Sequence, residues 1–175
     1  MQLTIILGTA REGRQSEKVA NYLRRKLEAR KDLQIEFVDV KDFSHGRTIP
    51  PWEKNDATKN WRAIVKKTDG FLIVFPEYNH SFPGELKMLL DQDFENYAGK
   101  PVAFASVSSG GFGGVRAVES LVPVARYIGL VPLTAELNFS KVAELFAQGE
   151  AELDTKYAEK IEKLADALVQ FAARK

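Results

Sequence analysis

Phe71-Leu72-Ile73-Val74-Phe75 runs directly into Pro76-Glu77-Tyr78-Asn79-His80-Ser81-Phe82-Pro83-Gly84. The first five residues are apolar without alternation, the pattern of a strand covered on both faces, as in a parallel sheet. Two prolines stiffen the loop that follows. Pro83 suits the first turn of a helix that carries Leu86, Leu89 and Leu90. A buried strand, a polar loop and a helix in that order make half of a βαβ unit. The same order recurs along the chain.

Four more strand candidates are Leu3 to Leu7, Ile35 to Val40, Val102 to Val107 and Leu130 to Leu137, the last weakened by Pro132. Stripes of period 3.6 lie between them. Val19, Leu23 and Leu27 mark the first helix, with Ser16 in the N-cap position. Trp61, Ile64 and Val65 mark a second over Thr58 to Lys67. A fourth covers Val115 to Ile128, where Pro123 predicts a kink. The last carries Leu153, Tyr157, Ile161, Leu164, Leu168 and Phe171. The stretch Phe139 to Gly149 fits no single pattern and has room for a short extra helix. Repeated strand–helix alternation predicts an α/β fold with right-handed crossovers. Five strands favour a flavodoxin-like, doubly wound parallel sheet of order 2-1-3-4-5 with helices on both faces. Residues 1–175 read as a single domain.

Composition removes several kinds of chemistry. The chain has 175 residues, a formal net charge of +1, and no block of basic residues, so nothing argues for nucleic acid or an anionic membrane surface. Cysteine is absent, which excludes disulfides, thiolate nucleophiles and Cys-ligated metal. The two histidines, His45 and His80, are too far apart in sequence to suggest a metal site. No apolar run is long enough to span a bilayer, and strand-like sequence begins at Leu3, so a cytoplasmic protein is expected. There is no nucleophile elbow, and no P-loop ending in Lys-Ser/Thr. Enzyme chemistry here would belong to a bound organic cofactor.

Three loops carry the candidate site. Gly8-Thr9-Ala10-Arg11-Glu12-Gly13-Arg14-Gln15-Ser16 joins the first strand to a helix N-terminus, where backbone N–H groups favour an anion. Lacking Gly-x-Gly-x-x-Gly, it suits a monophosphate better than a pyrophosphate; its plainer reading is a polar connector. In the second loop Tyr78 could shield a flat heterocycle and Asn79 could hydrogen-bond its edge. His80 reads as structural, and Glu77 as a base or, more commonly, an exposed carboxylate. Ser108-Ser109-Gly110-Gly111-Phe112-Gly113-Gly114 allows close backbone approach to a ligand, or is simply flexible. These loops follow strands one, three and four, whose ends are neighbours in the expected order.

Gly8-Thr9-Ala10-Arg11 with Arg14, Pro76-Glu77-Tyr78-Asn79 continuing through Ser81-Phe82-Pro83-Gly84-Glu85-Leu86-Lys87, and Ser109 to Gly114 continuing into Val115-Arg116-Ala117 resemble the NADPH-dependent FMN reductase family. That family includes quinone, azo-dye and chromate reductases, and the resemblance covers about the first 135 residues. It implies that Thr9, Arg11, Arg14, Gln15 and Ser16 hold the FMN phosphate. Pro76, Glu77, Tyr78 and Asn79 would line the isoalloxazine, and Ser108, Ser109, Gly110 and Gly111 would close the site. It implies ping-pong turnover with NADPH or NADH as co-substrate, no catalytic side chain and no metal. The second substrate would be a quinone, azo dye, free flavin or metal oxyanion. A homodimer or homotetramer is implied, with the helix of Leu86, Leu89 and Leu90 at the interface. The loop Asp42 to Asn55 departs from the family pattern; Trp52 there either borders an acceptor pocket or packs over the second helix. The alternative is a flavodoxin-type electron carrier without its own NAD(P)H oxidation, against which a net charge of +1 argues. A domain of this type that has lost FMN is a further alternative.

Overall fold

The computed structural model describes residues 1–53 and 55–174; Lys54, inside the 42–55 loop, and Lys175 lie outside the described residues. In chain order the elements are β1 (Gln2–Leu7), α1 (Ser16–Glu28), β2 (Gln34–Asp39), α2 (Asp56–Lys67), β3 (Gly70–Pro76), α3 (Gly84–Leu90), β4 (Pro101–Val107), α4 (Val115–Tyr127), β5 (Val131–Phe139), α5 (Val142–Ala147) and α6 (Glu150–Ala172). Short 3-10 turns occupy Val40–Phe43 and Glu95–Tyr97. The strands form one parallel sheet of order β2-β1-β3-β4-β5.

The apolar runs explain this order. β1, β3 and β4 are almost wholly buried, and the two edge strands are mostly partly buried or exposed. The pleat of β1 sends Leu3, Ile5 and Leu7 into a core shared with α1 and α6, while Ile6 enters a second core under α2, α3 and α4. The stripe of α6 packs as its period demands, with Tyr157 stacked on Phe139 at 4.2 Å between ring centroids.

The structure adds local detail to these expectations and changes some. Pro132 sits on an edge strand, where its missing N–H is tolerated; β5 nevertheless runs on to Phe139, with a register shift opposite Val102 and Phe104. Helix α4 continues through Pro123. Gln15, not Ser16, precedes the first turn of α1, so Ser16 lies inside the helix. Leu86, Leu89 and Leu90 are buried in this chain's own core against the sheet, so they cannot form an interface. The difficult stretch after Phe139 contains α5.

Candidate active site

The loop after β1 starts as an extension of the sheet, with Gly8 N–H donating to Val74 O at 2.8 Å. A side chain at Gly8 would press on Leu86 and on the Val74 carbonyl at 3.1 and 3.3 Å, so this turn leaves little room for one. Thr9 is buried, and its hydroxyl lies 3.2 Å from Tyr78 Oη, tying the first loop to the second. Arg14 is held from below the loop. Its guanidinium donates to Thr9 O and grips both carboxylate oxygens of Asp39, at the end of β2. The two side chains are 5% and 10% exposed. Burial pushes the Asp39 carboxyl upward, but hydrogen bonds from Arg14 and Lys41 outweigh it and hold the group below the ordinary value. Arg14 is correspondingly raised, chiefly by its bond to Asp39. Arg14 therefore braces the loop while also lining the space in front of α1.

Ser16 stands in the first turn of α1, buried, and its hydroxyl oxygen has no hydrogen-bond partner. In that turn Lys18 N–H donates to Gln15 O at 3.1 Å; the first N–H groups of a helix otherwise lack an intrahelical acceptor. Arg11 remains exposed, its guanidinium 5.2 Å from the centre of the Tyr78 ring.

The second loop closes on itself. Tyr78 N–H donates to Ser81 O at 2.8 Å and Ser81 N–H to Tyr78 O at 3.0 Å. Asn79 and His80 between them take φ of +50° and +64°, the pattern of a type I′ turn and a strained one for non-glycine residues. Glu77 is not the exposed carboxylate expected for such a loop: its side chain is 11% exposed. One oxygen lies 3.3 Å from Arg116 Nη1, and the other is buried without a partner.

The third loop is held from β5 and α5. Ser108 N–H donates to Phe139 O at 3.0 Å, Lys141 N–H to Gly110 O at 3.0 Å and Val142 N–H to Ser108 O at 3.2 Å. Its four glycines divide into two pairs. Gly113 and Gly114 have positive φ and pack against Asn138 and Ser106 of this chain's own sheet. A Cβ on Gly110 or Gly111 would meet nothing within 4 Å.

The three loops enclose a cleft of about 320 Å³ at the carboxyl ends of β1, β3 and β4, lined by residues 11–16, 76–78, 107–109 and Val142. Of the residues singled out from the sequence, Thr9 lies behind its wall. Asn79 lines an adjoining open recess with Arg11, Glu77, Tyr78 and Glu85. Gly110 and Gly111 do not line the cleft. Sequence reasoning missed Val107 and Val142; Val142 lay in the stretch with no clear pattern, and only the strand order brings it here. Among the described residues no group of acidic or histidine side chains is placed to hold a metal.

Residues 1–144 match the NADPH-dependent FMN reductase family. The chain belongs to that family. It is 28% identical over 145 residues to an NAD(P)H-dependent FMN reductase of Saccharomyces cerevisiae, covering 71% of this chain and 73% of the relative. It is 32% identical over 123 residues to an NADPH azoreductase of a Bacillus species, covering 69% of this chain and 66% of the relative. A flavoenzyme NAD(P)H:acceptor oxidoreductase from Paracoccus denitrificans shares the fold, with a TM-score of 0.79 at 21% identity over 99% of this chain and 97% of that one.

Against this reductase fold the 42–55 loop stands apart from the cleft. Arg62 pins its backbone to α2 through Pro50 O at 3.4 Å, while Trp52 is 82% exposed rather than packed over that helix. Trp52, Phe94 and Tyr127 border a groove of about 580 Å³ that shares no lining residue with the cleft.

Proposed function

We propose that this chain is an FMN-dependent NAD(P)H oxidoreductase working from a single domain over residues 1–175, with the FMN phosphate at the N-terminus of α1. The observation that carries this reading is the buried, unpartnered hydroxyl of Ser16 in the first turn of the helix bordering the cleft. A buried hydroxyl without a partner costs stability, so it fits a ligand oxygen that completes it. Helix N–H groups and the positive end of the dipole favour an anion at the same place. Arg11, exposed beside the Tyr78 ring, would supply a cation there, and Gln15 a further donor.

The ring system would lie along Pro76 to Tyr78, with Ser108, Ser109, Gly110 and Gly111 closing the opposite side and Asn79 at its edge. Bound FMN would supply the electron chemistry, taking a hydride from NADPH or NADH and reducing a quinone, azo dye, free flavin or metal oxyanion in ping-pong order. Thr9 and Tyr78 hold the two loops in register; Arg14 and Asp39 keep the first loop in place. No side chain has to act as an acid or base, and we assign no catalytic residue. The cytoplasm, where reduced nicotinamide cofactors are available, is the compartment we assign. No helix among the described residues is long and apolar enough to cross a membrane. A homodimer or homotetramer would form through the groove of Trp52, Phe94 and Tyr127; Lys87 of α3 and Asp91 at its C-terminal end also line it.

The test is the visible spectrum of purified protein mixed with FMN, before and after anaerobic addition of NADPH or NADH. A perturbed flavin band that bleaches on addition supports the reductase. Binding without bleaching by either cofactor makes the chain an electron carrier, and absence of binding removes both readings.

A further inference from the structure

We propose that Phe112 and Arg116 form a platform at the rim of the cleft that selects planar aromatic second substrates bearing an acidic group. This rests on the reductase reading above and names the acceptor class that the site prefers. Phe112 lies in the loop between β4 and α4 and is 67% exposed. It contributes nothing to either core, so burial does not account for its place. Arg116, in the first turn of α4, holds its guanidinium carbon 4.7 Å from the centre of that ring. The same guanidinium reaches inward to Glu77 at 3.3 Å, and Glu77 lines the cleft. An aromatic face and a cation are thus tethered together to the wall of the site rather than scattered on the surface.

Two further features make the platform accessible. Gly110 and Gly111, just before Phe112, leave open space where side chains would stand, so they add no bulk beside the ring. Arg116 is 42% exposed, and Glu77 is its only hydrogen-bond partner among the described residues. A guanidinium has five N–H donors, so most remain for a ligand. A planar ring stacking on Phe112 would cover apolar surface now in water. An acidic substituent on that ring would meet Arg116 in a charge-assisted hydrogen bond, whereas a neutral ring would gain the stacking alone.

The experiment compares a naphthoquinone with its ring-sulfonated analogue as acceptors for FMN-loaded enzyme at saturating NADPH. Wild type is set beside Phe112→Ala, Arg116→Gln and Arg116→Lys. Glutamine can still donate to Glu77, so that variant removes charge without stranding the buried carboxylate. FMN content and the rate of bleaching by NADPH without acceptor are measured on each protein. The inference expects Phe112→Ala to raise KM for both quinones about fivefold. It expects Arg116→Gln to raise KM for the sulfonated quinone alone by about tenfold, with Arg116→Lys recovering part of the difference. Variants that hold FMN and bleach normally but keep the wild-type KM for both quinones overturn the inference. Loss of FMN from either Arg116 variant also overturns it, by moving Arg116 to the cofactor. A wild-type protein that takes up no FMN fails earlier, at the reductase reading itself.

Discussion

Arg14 and Asp39 are joined through both Nη atoms and both carboxylate oxygens, one contact measuring 2.8 Å, across the gap between the loop after β1 and the end of β2. Both side chains are nearly sealed from water. Removing one partner of such a pair leaves an uncompensated charge, which costs about 3–5 kcal/mol when burial is complete. Arg14→Ala is therefore expected to destabilise the FMN-free protein by about 3 kcal/mol, read as a lower urea midpoint. A phosphate ligand would leave the FMN-free protein unaffected, so an unchanged midpoint would return Arg14 to the cofactor.

The same pair sets a pH dependence. Asp39 is held below the ordinary carboxyl value in the folded chain, so folding favours its charged form. Its contribution is fully present above the unfolded value of about 4 and is lost as pH falls through the folded value. Wild type is expected to be more stable than Asp39→Asn at pH 7, with the gap closing on acidification toward pH 3. Urea titrations across that range decide the point; a gap that stays constant excludes the linkage.

Ser16 separates binding from folding. Its hydroxyl has no partner in the folded chain, so Ser16→Ala removes a buried polar atom without breaking a bond. The FMN-free protein should keep or slightly raise its midpoint, while FMN affinity falls about tenfold, the scale of one hydrogen bond to a charged oxygen. Quenching of FMN fluorescence on titration measures it. Unchanged affinity would move the phosphate away from α1.

Continuous apolar runs at β1, β3 and β4 announced strands covered on both faces, and the three loops after them announced the cleft. What stayed hidden depends on where side chains turn. Nothing local to Arg14 says that it reaches a carboxylate 25 residues away. Ser16 differs from an N-cap by one residue of helix boundary, the least legible feature of any helix. The leucines of α3 have the same stripe whether they face a sheet or a partner. Val142 enters the site only because β5 lies beside β4, a relation without a local signal.

The glycine-rich loop gives two opposite expectations. Gly114 has φ +90°, and a Cβ there would stand 2.9 Å from Ser106 Cβ, closer than real side chains approach. Gly114→Ala should lower stability by about 1–3 kcal/mol, the cost of such a strained backbone before the clash is added. Gly110→Ala meets open space and should leave the melting temperature unchanged. Scanning calorimetry of the two variants separates a loop built for packing from one that is merely flexible, since a flexible loop would tolerate both.

Trp52 and Tyr127, 82% and 81% exposed, stand on the groove between the 42–55 loop and α4, with Phe94 6.1 Å from the Tyr127 ring. Three large aromatic side chains around one concavity form the kind of patch that monomers seldom leave in water. In a twofold assembly every substitution acts twice, once from each copy. Tyr127→Glu should therefore shift the protein to monomer at micromolar concentration, with Trp52→Ala weakening assembly less. FMN content should persist, because groove and cleft share no lining residue. Sedimentation velocity over a hundredfold range of concentration reads both variants. A wild type that sediments as a monomer throughout would overturn the assembly, and a Tyr127→Glu that keeps an oligomeric wild-type mass would place the contact elsewhere on the chain.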